Sequence, residues 1–126
     1  MNLEKVVFGF FILLAATLNF GFVYGDIDVV AHHDAYELFA AIVVSLVATL
    51  LKLGDRTQIG AVHLATSLVA DLQLVAAAVV WVYATTTTES MTPGHMSSVV
   101  SLAAGALLAN LVSVTMLVVE TMMLRR

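Results

Sequence analysis

The hydrophobic pattern divides the chain into four long apolar stretches separated by short polar breaks. Residues 6–24 read VVFGFFILLAATLNFGFVY, residues 36–53 read YELFAAIVVSLVATLLKL, residues 60–85 read GAVHLATSLVADLQLVAAAVVWVYAT, and the fourth stretch covers residues 96–124. Each falls within or above the about 17–25 residues that a helix needs to cross the hydrocarbon core of a bilayer. Gly54 follows the second stretch, where a left-handed residue is expected to stop the helix. Pro93 and Gly94 precede the fourth. The pattern predicts an all-α integral membrane protein, a single bundle of four transmembrane helices occupying residues 1–126. A cleaved signal peptide is the competing reading of the first stretch. That stretch exceeds the usual apolar core of about 7–15 residues, and no A-x-A-like site follows it.

Polar residues interrupt these stretches at informative places. Asp71 lies near the middle of the third, where a carboxylate costs roughly 2.5–3.5 kcal/mol and needs a partner, a proton or water. Ser45 and Asn110 lie near the middles of the second and fourth, and Asn19 lies somewhat outward on the first. Two stripes run at helical spacing: His63, Ser67 and Asp71 on the third, and Glu37, Ala41, Ser45, Thr49 and Lys52 on the second. Ala106, Asn110, Ser113 and Glu120 fall approximately together on the fourth. Such stripes suit a hydrated path or a buried helix contact. Facing lipid they would be unfavourable. Ser97, Ser101, Gly105, Ala109 and Ser113 recur every four residues, as small residues do where membrane helices approach closely. An Asp71–Asn110 hydrogen bond would be the purely structural use of the mid-depth groups.

Charge placement adds an orientation. All five cations of the chain, Lys5, Lys52, Arg56, Arg125 and Arg126, fall on one side of a four-helix arrangement, which places both termini in the cytoplasm. Tyr24, Tyr36, Trp81 and Tyr83 map to the opposite ends, at headgroup level. Lys52 or Arg56 is placed to pair with Glu120 at the inner end. The outer loop GDIDVVAHHDAYE carries Asp26, Asp28, Asp34 and Glu37, an acidic mouth that would concentrate cations in an oligomer. In the same loop Asp34 or Asp28 is suited to cap the second helix. His32 and His33 form a weak metal motif, since adjacent histidines seldom aim at one ion without a scaffold.

Composition narrows the function classes. With 61% hydrophobic and 11% charged residues, the chain departs from the about 25% charged usage of soluble domains. It has no cysteine, hence no disulfide and no thiolate metal site. No hydrolase, zinc-protease or dinucleotide motif occurs, so an enzyme is not expected. Five scattered cations without a basic patch argue against nucleic acid as a partner.

The segments MNLEKVVFGFFILLAATLNFGFVYGDID and LGDRTQIGAVHLATSLVADLQL resemble a family of small bacterial inner-membrane proteins without assigned function. The resemblance implies four spanning helices in a bacterial inner membrane and carries over no site residues. Small multidrug transporters have a similar length and helix number. They couple through a glutamate in the first helix, where this chain has no intramembrane acid.

The leading functional expectation is a homo-oligomeric cation-conducting pore lined by a ring of Asp71 side chains, with Asn110, Ser67, Ser45 and His63 extending the path. It implies no cofactor beyond a bound cation, and the lipid bilayer, further copies of the chain and inorganic cations as partners. The alternatives are a small proton-coupled transporter using Asp71, and a non-transporting accessory or scaffold subunit.

Overall fold

The computed structural model describes residues 3–26, 29, 33–87 and 91–124. It is all-helical: α1 is Leu3–Val23, α2 Ala35–Lys52, α3 Gln58–Thr87 and α4 Pro93–Leu124. All four helices are long and apolar enough to cross a membrane. Contacts run α1–α2, α2–α3, α3–α4 and α4–α1, with little across either diagonal, so the helices form an up-and-down square with both termini at one end.

Local chemistry sets the helix starts. Asp34 caps α2 by accepting from the Tyr36 amide at 2.9 Å, which relieves one unsatisfied donor of the first turn. Thr57 caps α3, its hydroxyl accepting from the Gly60 amide at 3.0 Å. Thr92 caps α4 by accepting from the His95 amide at 3.1 Å. Pro93 is therefore the first residue of α4 rather than a break before it. At that position its missing N–H removes no helical bond and its fixed φ suits the helix. The expected left-handed stop at Gly54 is absent: among the described residues only Gly25, at φ 108°, has positive φ. Instead α2 unwinds through tight turns, Leu53 N–H to Leu50 C=O at 3.3 Å and Asp55 N–H to Lys52 C=O at 3.2 Å.

The buried seam of each helix advances by alternating steps of three and four. On α4 it runs Met96, Val99, Ala103, Ala106, Asn110, Ser113, the spacing that keeps one face turned to a neighbouring helix. The small-residue series from Ser97 to Ser113 is not that seam: Ser101 is exposed, and Gly105 and Ala109 are half-buried. Large apolar side chains such as Phe10, Leu50, Leu72 and Leu108 point outward. A lipid surround accepts that arrangement, because tails solvate leucine as well as a protein core does. Polar side chains occupy the seam instead, at Asn19, Ser45, Thr49, Lys52, His63, Ser67, Asp71, Asn110 and Ser113.

Candidate functional site

Asp71 is turned into its own bundle and is only 8% exposed. Ser45 Oγ donates to its Oδ1 at 2.6 Å. Thr49 Oγ1 lies 2.5 Å from its Oδ2. Both hydroxyls come from α2, whose stripe of Ala41, Ser45, Thr49 and Lys52 is buried throughout. An axis-facing ring would need this carboxylate on the outer surface, and α2 of the same chain holds it inside. Asn110 is not its partner either. Depth matching placed them level, but the α2 hydroxyls hold the carboxylate and Asn110 falls about one turn away along the bundle.

Two contacts fix the register of α3 against α4. His63 Nδ1 meets Ser113 Oγ at 2.6 Å, and Gln73 packs over Gly105. Between these points the antiparallel helices bring Ser67 level with Asn110, and Asp71 level with Ala106. His63, Ser67 and Asp71 thus climb one face of α3 through about 12 Å, at about 1.5 Å per residue. On α1, Phe8 meets the His63 ring edge-on at 5.0 Å between centroids, and Phe22 meets Trp81 at 6.2 Å. Asn19, between them, falls between the levels of Asp71 and Trp81. Every helix contributes to this polar column.

Much of the column's hydrogen-bonding capacity is uncommitted. Asn19 and Asn110 are both 0% exposed. Among the described residues, neither the oxygen nor the nitrogen of either amide has a protein partner, nor do Ser67 Oγ and His63 Nε2. In a medium that offers no hydrogen bonds, each such group costs several kcal/mol unless something meets it.

Two apolar clusters pack among these polar groups. One, nearer the termini, is Phe8, Ile12 and Ala48. The other is larger, extends to the opposite end and includes Phe22, Leu38, Leu74, Met96 and Val99. Lys52 is 5% exposed. Its ammonium sits 4.3 Å from the centroid of the Phe8 ring, the distance of a cation–π contact.

At the end carrying the termini, Glu120 pairs with Lys5 of α1 rather than with Lys52 or Arg56. Lys52 pairs with Asp55 at 3.4 Å, and Arg56 is exposed. Together with Glu4, Gly54, Thr57 and Ile59 these side chains line a cleft of about 380 Å³. Asp55 accepts from the Thr57 hydroxyl at 2.7 Å and from the Thr57 amide at 2.8 Å. Those two bonds, then Lys52, hold its carboxyl below the ordinary carboxylate range, against an opposing push from burial.

At the other end Asp26 and Asp34 are exposed and Glu37 is half-buried against Gly21, while Asp28 and His32 lie outside the described residues. His33 is buried, with Nδ1 2.5 Å from the Phe22 carbonyl and Nε2 2.7 Å from the Asp26 carbonyl. Both ring nitrogens thus face backbone oxygens, so His33 ties the loop to α1 instead of presenting a lone pair to a metal. Among the described residues no cluster of three or more His, Asp or Glu side chains is arranged for a metal.

Sequence reasoning named Thr49 only as part of a stripe and gave Lys5 no partner. It overlooked Gln73, whose signal was available: an amide in an apolar run, on the flank of the Asp71 face.

No curated protein and no solved structure matches the chain. The model of DUF6394, a family of unknown function, matches residues 32–121, more than half of the sequence, and the chain belongs to that family.

Proposed function

We propose that this protein is a small proton-coupled transporter of a bacterial inner membrane, with both termini cytoplasmic and Asp71 as the group that takes up and releases the proton. The charge asymmetry of the loops supports the orientation. One observation carries the functional reading. Thr49 Oγ1 is 2.5 Å from Asp71 Oδ2 and 3.0 Å from the Ser45 carbonyl oxygen.

A hydroxyl has one hydrogen and both of those neighbours can accept it. With Asp71 ionised, Thr49 donates to the carboxylate. With Asp71 protonated, the acid donates to Thr49 Oγ1, which donates in turn to the Ser45 carbonyl. Both protonation states are satisfied without moving a helix, as a mid-membrane group that must change charge requires. The uncommitted groups at Ser67, Asn110, His63 and Asn19 support a polar route on either side of it.

Reconstituted into vesicles holding a pH-sensitive dye, the protein is expected to move protons down an imposed gradient. Asp71→Asn, close to isosteric, is expected to abolish that flux while the fold persists. Equal flux in the variant would reject the reading. The accessory-subunit reading is favoured by the bonding of both Asp71 oxygens to hydroxyls within one chain, and it predicts no flux in either protein.

A further inference from the structure

We infer that the Asp71 centre binds a dehydrated alkali-metal cation, in exchange for its proton. The inference rests on the proton-coupled reading and names the substrate class. Its ground is the donor set. The Asp71 carboxylate meets the hydroxyls of Ser45 and Thr49 at 2.6 and 2.5 Å, and Ser67, also buried, follows one turn along the same face of α3. Asn110, whose amide has no protein partner among the described residues, stands at the level of Ser67 through the His63–Ser113 and Gln73–Gly105 register. Carboxylate, hydroxyl and amide oxygens are the ligands of hard cations.

Ser67 and Asn110 supply the independent sign. Both are fully buried, and Ser67 Oγ and the Asn110 amide have no protein partner among the described residues. A serine and an asparagine serving only as helix glue would bond each other or a neighbour. These two leave oxygen lone pairs in the interior, one helical turn from a carboxylate.

Charge selects the valence. One carboxylate at this depth neutralises one positive charge, so a monovalent ion leaves the centre neutral, as the proton does. A divalent ion would leave an uncompensated charge in the hydrocarbon. The exchange balances: one proton leaves the Asp71 carboxyl as one cation arrives. Thr49 keeps its hydrogen on the Ser45 carbonyl, at 3.0 Å, and its oxygen, no longer accepting from the acid, turns to the ion. Lys52 does not supply the counter-charge, since its ammonium is engaged by Asp55 and the Phe8 ring.

The test uses the full chain purified in detergent. Its thermal midpoint is followed against NaCl, KCl and choline chloride at constant ionic strength and fixed alkaline pH. A ligand that binds only the folded form raises the midpoint saturably. Sodium or potassium is expected to do so, and choline is not. Asp71→Asn is expected to remove the rise, and Ser67→Ala and Asn110→Leu to weaken it about tenfold each. Should Asp71→Asn fail to fold, the other two variants and binding of radioactive sodium to the native protein decide the matter. Identical midpoints in all three salts, with no retained radioactivity, would overturn the inference, as would an undiminished rise in the Ser67 and Asn110 variants. Proton flux without a cation effect sinks this inference alone. A cation effect without proton flux keeps the site and sinks the transport reading.

Discussion

Thr49 and Asp71 meet at 2.5 Å across the α2–α3 contact, and Thr49 still lies 3.0 Å from the carbonyl oxygen of Ser45, one turn back on its own helix. The threonine therefore anchors the carboxylate and can also release it without losing its own bond. Thr49→Val keeps the shape and removes the hydroxyl. It is expected to destabilise the bundle by about 1–2 kcal/mol, the range for a buried hydrogen bond to a charged or strongly polar group inside a membrane protein. Reversible unfolding in mixed micelles measures it. An unchanged unfolding free energy would mean that Asp71 is held by Ser45 alone.

Fold and site were legible to different depths. Four spans follow from hydrophobic run length alone, and the inward stripes of α2 and α3 follow from spacing, because polar residues that cannot face lipid must face protein. Partner identities do not follow. Rise per residue fixes the depths of Asn110 and Asp71 only to about a turn, and not which side of each helix they occupy. The register of α3 on α4 and the order of helices around the square set those. Lys5 meets Glu120 because α1 adjoins α4, a neighbour relation that no local pattern encodes. The small residues of α4 show the limit of counting by fours. Each step of four overshoots a 3.6-residue turn by about 40°, so the series from Ser97 to Ser113 winds around the helix instead of holding one face.

Gln73 and Gly105 test that geometry. A Cβ added at Gly105 would fall 2.5 Å from Gln73 Oε1 and 2.9 Å from its amide carbon, so alanine there must displace the amide. Gly105→Ala is expected to destabilise the native chain. It should be close to neutral when Gln73 is already alanine. The coupling in a double-mutant cycle should fall within about 0.5–3 kcal/mol, as for residues in direct contact. Additive effects would show that the amide leaves Gly105 without cost.

The Lys5–Glu120 pair closes α1 on α4 at the end carrying the termini, with side chains 33% and 18% exposed. Partial exposure limits its worth to about 0.2–1 kcal/mol. Glu120→Lys should cost more than Glu120→Gln, because it sets two cations side by side, and adding Lys5→Glu should recover the loss. Unfolding of the native protein and the three variants at low and high salt checks this, with the differences shrinking as salt rises. If the double exchange recovers nothing, Glu120 acts through another group lining the same cleft.

Asp55 provides the acid-side test. The Thr57 hydroxyl and amide, aided by Lys52, hold its carboxyl below the ordinary value of 3.8. The unfolded chain therefore takes up this proton at a higher pH than the folded one. Stability from the interaction is complete above 3.8 and is lost as pH falls through the lower folded value. The same carboxylate braces the start of α3, because Thr57, which it fixes, caps that helix through the Gly60 amide at 3.0 Å. Gly60 leaves room for it, since a Cβ there would collide with the Asp55 carboxyl. Asp55→Asn should lower stability near neutral pH and flatten its decline with acid. The quantity to follow is the difference between native and variant midpoints as pH is lowered. It should narrow toward acid, and a constant difference would show that Asp55 acts through shape rather than charge.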